Sequence, residues 1–149
     1  MVRAHSQTGL HKPTRAFVVL AAAIASLALI GATGAADPIT SATIASSTAA
    51  DFRVVVIATK GPGGDAPSAT VNLAAFRKVN GKWTPLGTGR IGNANGFFWK
   101  VLTGPRSISE FSISANTPER TSLRLLVSPA LGWSPVYHFH VAGDRLVAG

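Results

Sequence analysis

From residue 52 to the end of the chain, short runs rich in β-branched and aromatic residues alternate with Gly, Pro and Asn punctuation. No segment after residue 40 keeps an apolar stripe at the 3.6-residue helical period. Together these features leave many short strands with a turn every 8–12 residues or so, and therefore an all-β fold. "FRVVVIAT" (52–59) is almost wholly apolar and reads as a central strand buried on both faces. "SATVNLAAFRKV" (68–79) alternates through Val71 and Leu73 and then slips at Ala74-Ala75, where a β-bulge would return Phe76 to the Val71 face. "KWTPLGTGRI" (82–91) contains Pro85, which confines it to an edge. "GFFWKVLT" (96–103) reads as an aromatic strand, with Phe97 and Trp99 on one face and Phe98 and Lys100 on the other.

The second half follows the same rule. "SISEFSISA" (107–115) turns Phe111, Ile113 and Ala115 inward and Glu110 and Ser112 outward. "RTSLRLLVS" (120–128) places Thr121, Leu123, Leu125 and Val127 on one face and Arg124 on the other. "PVYHFHVA" (135–142) and "RLVA" (145–148) end the chain. Asn80-Gly81 suits a type I′ hairpin turn, and Gly143-Asp144 marks a second two-residue turn. The expected architecture is an antiparallel β-sandwich of about seven or eight strands, immunoglobulin-like in outline, with a small barrel as the alternative. The cysteine pair that marks antibody domains is missing, for the chain has no Cys at all. Its core must therefore hold without disulfides.

The first forty residues follow a different logic. Arg3, Lys12 and Arg15 precede an uncharged apolar run beginning at Ala16, and small residues close it in "GATGAAD". That order predicts a secretory signal-peptide helix over 1–36, cut at about Ala36, with an uncleaved membrane anchor as the competing outcome. No twin Arg precedes the run, which favours the general secretory route, and the positive-inside rule places the rest of the chain outside the cell. Residues 37–50, "DPITSATIASSTAA", read as a flexible Ser/Thr/Ala-rich lead-in, although "ITSATI" could add an edge strand. The sandwich domain is expected over 51–149. Beyond residue 36 there are 11 Lys and Arg against six acids, a net charge of +5. A positive exported protein favours anionic surfaces, although such a charge also serves solubility alone.

The middle of the chain concentrates that charge. Between Asp65 and Glu110 lie six basic residues and no acid, interleaved with Trp83, Phe97, Phe98 and Trp99. Cations track phosphate or carboxylate polymers, and aromatic rings stack on bases or sugars. The candidate binding residues are Arg77, Lys78, Lys82, Trp83, Arg90, Phe98 and Lys100, with Lys78 facing Trp83 across the Asn80-Gly81 hairpin. The bland alternative is a set of core aromatics with solvated cations beside them.

"YHFHV" puts His138 and His140 on one face of a strand, the geometry of a two-ligand contribution to a metal site. Zinc needs three or four protein ligands, and pairing Ala142 with Arg145 sets a cation on the same face, so two solvent-facing imidazoles are the simpler reading. The Gly-rich "TKGPGGDAP" (59–67) lacks P-loop spacing and reads as a strand connection. Trp133 reads as a cap on the open end of the sandwich or as an exposed anchor. No nucleophile elbow is present, and no two carboxylates form a nameable cleft pair, so an enzyme is not expected and no cofactor is implied.

"FFWKVLTGP", "SLRLLVSPALG" and "FHVAGDRLVAG" resemble parts of uncharacterised small secreted proteins of actinobacteria. That resemblance implies a secreted β-rich domain and carries no active site across. The expected function is that of a secreted, non-enzymatic binding or interaction module at the cell envelope or beyond it. Its partners would be anionic envelope polymers or another secreted protein, with no specific nucleic acid. A metal-binding or catalytic site around His138 and His140 is the alternative, and an inhibitor or adhesion module presenting loops 59–67 and 128–135 is a third possibility.

Overall fold

The computed structural model describes residues 40–149; the apolar run and its cleavage region lie outside the described residues. The described chain forms β1 (Ser41–Ala49), β2 (Phe52–Lys60), β3 (Ser68–Val79), β4 (Lys82–Ile91), β5 (Phe97–Phe98), α1 (Trp99–Leu102), β6 (Ile108–Ser114), β7 (Arg120–Ser128), β8 (Gly132–Trp133), β9 (Tyr137–Ala142) and β10 (Arg145–Ala148). The strands build two antiparallel sheets. The first has the order β1-β2-β3-β4, with β5 added to β3, and the second has the order β10-β9-β7-β6, with β8 added to β7. Each sheet is a meander, completed before the other begins, whereas immunoglobulin domains interleave their strands by Greek-key connections. The two sheets approach at both margins, where β4 runs beside β10 and β1 beside β6, yet no strand ladder joins them among the described residues.

The core lies between the sheets. Phe52, Val54 and Val56 of β2, Val71 and Leu73 of β3 and Ile91 of β4 meet Leu123 and Leu125 of β7, all with 1% exposure or less. Complete burial of each such side chain contributes about 1.5–3 kcal/mol, and this packing stands in for the missing crosslinks. α1 fills one end of the sandwich by burying Leu102. Both two-residue turns form as their sequences dictate. Asn80 and Gly81 have φ of 51° and 78°, and Val79 pairs with Lys82. Ala142 pairs with Arg145, and His140 with Val147.

Three expectations are corrected. The Ser/Thr/Ala-rich segment read as a flexible lead-in takes the edge-strand alternative over most of its length, since β1 pairs with β2 from Ser41 to Ala49. A strand edge is satisfied by main-chain hydrogen bonds, which small side chains do not obstruct and do not announce. The bulge expected at Ala74-Ala75 falls instead on the facing strand. Ala75 pairs with Gly87 and Phe76 with Pro85, leaving Leu86 unmatched and buried. Gly87, at φ 128°, supplies the backbone conformation that this extra residue requires. β3 therefore alternates without interruption, and Phe76 lies on the outer face; Ala74 is buried on that same face because it is small. Finally, "FFWKVLT" is a strand for two residues only. The Trp99 N–H donates to Pro67 O, and both the amide and the hydroxyl of Thr103 return to Trp99 O, which closes a helical turn.

Candidate functional site

Strand alternation sorts the seven candidate binding residues. Arg77 belongs to the inner row of β3, beyond Ala75, and is not free to meet a ligand. Its Nε donates to Glu119 Oε1 at 2.9 Å and its Nη1 to Asp144 Oδ1 at 2.9 Å. These contacts bridge the first sheet to the residue preceding β7 and to the β9–β10 turn. The hydrogen bond from Arg77 holds the Glu119 carboxyl below the usual glutamate range, against the opposing effect of its burial. The same bond raises the guanidinium above its ordinary value. Glu119 is 9% exposed, and no spacing or motif in the sequence distinguishes it from a surface acid.

Lys78, Trp83 and Arg90 share the outer face of the first sheet. Lys78 lies opposite Trp83, with Nζ 5.8 Å from the ring centroid, and Arg90 lies opposite Asn72. Lys82 opens β4 beside the hairpin turn. Phe98, 41% exposed, pairs with Ser68 at the far end of β3, so it continues the same face about ten residues, or roughly 33 Å, from Lys78. Lys100 is exposed on α1. The pairing adds members that the sequence did not single out. Arg53 lies opposite Phe76, and Val55 and Ile57 lie opposite Ala74 and Asn72. Pro85 completes an aromatic and apolar track from Trp83 across Phe76. By register, every charged residue that the described strands place on this face is a cation: Arg53, Lys78 and Arg90.

His138 and His140 stand on the outer face of the second sheet, directly opposite Ser122 and Arg120. Among the described residues no group of three His, Cys, Asp or Glu is placed to hold a metal ion. Glu110 points outward, as expected, and accepts from Ser122 Oγ at 3.3 Å. Trp133, 40% exposed, pairs with Leu126 through β8 and borders a groove of about 440 Å³ with Phe97, Pro135 and Tyr137. The Gly-rich loop is folded back on itself. Ser68 donates to Pro62 O through both its amide and its hydroxyl, and the Gly61 amide donates to Ser68 O, so these donors point inward rather than at a phosphate.

No family model, curated protein or solved structure matches this chain. Among the described residues no helix is long and apolar enough to cross a membrane.

Proposed function

We propose that the chain is a secreted, non-enzymatic binding module, immunoglobulin-like in having two packed sheets, that holds anionic cell-envelope polymers along the outer face of its first sheet. The observation that carries this is a face free of acids among the described residues, on which Arg53 lies opposite Phe76, Lys78 opposite Trp83 and Arg90 opposite Asn72. A polymer lying along β3 would meet Lys78 and Arg53 at one end, Arg90 about 20 Å further on, and rings against which sugars can stack. Such binding is weak at each charge, additive along the polymer and steeply sensitive to salt. The signal segment would be its only membrane contact, on the way out of the cell.

The test is retention on an immobilised anionic polymer. Replacing Arg53, Lys78 and Arg90 together with Ala should lower the eluting salt concentration markedly, and the salt slope should fall by about one for each phosphate that is no longer neutralised. Unchanged retention in this triple variant would overturn the proposal.

A further inference from the structure

The second sheet carries a separate polar array, placed there by the central position of β7. Its outward residues lie between those of β6 on one side and β9 on the other. Ser114, Arg120 and His140 form one cross-strand row, and Ser112, Ser122 and His138 form the next. Directly opposed residues have Cβ atoms about 4.5–5.5 Å apart, and successive rows are roughly 7 Å apart. Together these six residues and Gly149 line a trough of about 630 Å³.

We infer that this trough is a binding site for a tetrahedral oxyanion, a phosphate or sulfate group, with Arg120, His138 and His140 as its principal donors. Arg120 is exposed, and its guanidinium makes no ion pair or hydrogen bond among the described residues. It therefore presents a planar fork of N–H donors, the geometry that suits a bidentate oxyanion contact. Each imidazole adds at least one N–H, and Ser114, whose Oγ only accepts from the Asn116 amide, adds a hydroxyl. Arg145, opposite Ala142 on β10, lies on this same face and raises its positive potential. Among the described residues the acidic side chain on this face is Glu110, one row beyond the trough opposite Arg124. Its carboxylate accepts from Ser122, whose hydroxyl is also 2.6 Å from that of Ser112, so Glu110 is coupled to the serines and not to Arg120. Arg124 is itself engaged, with Nε donating to Ser134 O.

The same geometry argues against a cation between the two histidines. A divalent metal there would sit beside the permanent charge of Arg120, directly opposite His140, and would lack a third ligand of the usual kind. The feature that disfavours a metal favours an anion. This site shares no residue with the face proposed for polymers, so the two stand or fall separately.

The experiment is an NMR titration of the full chain with inorganic phosphate, inorganic sulfate and Zn2+ in separate arms, at concentrations up to about 20 mM. Phosphate and sulfate should both shift the amides of residues 112–114, 120–122 and 138–140 together with both imidazoles. Arg120→Gln should weaken the affinity about tenfold. The His138→Gln/His140→Gln double variant, which keeps Arg120, should weaken it less, and Lys78→Ala on the other sheet should leave it unchanged. Amide dispersion reports whether each variant folds. The inference is overturned if the anions shift nothing in the trough, if Arg120→Gln binds as well as the parent, or if the imidazoles answer to Zn2+ and not to the anions.

Discussion

Arg77→Ala should destabilise the protein by about 2–3 kcal/mol, far more than a surface arginine warrants. The figure follows from two unequal ion pairs. The side chain of Asp144 is 91% exposed, so its pairing with Arg77 contributes about 0–1 kcal/mol. The side chain of Glu119 is 12% exposed and that of Arg77 29%, which makes theirs a charge-assisted bond in a partly dry setting, about 1.5–3 kcal/mol. Removing the guanidinium also strands the Glu119 carboxylate. Asp144→Ala should therefore cost under about 1 kcal/mol. The Arg77→Ala/Glu119→Ala double variant should cost clearly less than the two singles added together, with a coupling of about 1–2 kcal/mol. Urea unfolding followed by the fluorescence of Trp83, Trp99 and Trp133 would measure the parent, the two singles, the double variant and Asp144→Ala. Additive singles, or an Arg77→Ala loss below about 1 kcal/mol, would refute the idea that this cluster clasps the sheets. The same variant separates structure from binding. If Arg77 served the polymer face, its removal would reduce column retention at unchanged stability.

Three further outcomes are expected. Because the folded-state pKa of Glu119 is lowered, its contribution is complete above the unfolded glutamate value of about 4.3 and disappears as pH falls through the folded value; urea midpoints measured across that acid range should decline, and Glu119→Gln should flatten the decline. Gly89→Ala should cost about 1–3 kcal/mol in the same assay, since a Cβ there would lie 2.5 Å from Phe139 Cε1 and force the ring out of place; a neutral effect would mean that the core is slack. Ser134→Ala should cost about 1–3 kcal/mol, because the buried Ser134 Oγ accepts from the Leu125 amide and donates to Pro135 O, and its removal leaves that amide unpaired; hydrogen exchange at Leu125 should accelerate.

Much of the sheet structure was legible in the residues. β3 and β7 occupy the spans that their β-branched runs define, and both two-residue turns announce themselves by Asn-Gly and Gly-Asp. What stayed hidden depends on partners distant in the chain. Gly87 and Gly89 look like breakers within a strand, yet they face inward and give Leu146 and Phe139 room to approach. Only "ITSATI" hints at β1, whose small side chains show no inside and outside until β2 lies beside them. The binding face was legible in part. Alternation put Lys78 opposite Trp83, but it could not reveal that Arg77 would be claimed by Glu119, 42 residues away. Arg53 and Arg120 went unremarked for the same reason, since cross-strand neighbours are a property of the register.

The meander order has a kinetic consequence. Nearly every strand finds its partner across a short turn, so the closure entropy of each pairing is small. Only the passage through α1 to residue 107 must bring two finished halves together. Sandwiches threaded back and forth between layers close many long loops and fold slowly; a chain laid down one leaf at a time should reach its native state sooner, and expose its bare inner faces for less time, than that architecture usually allows.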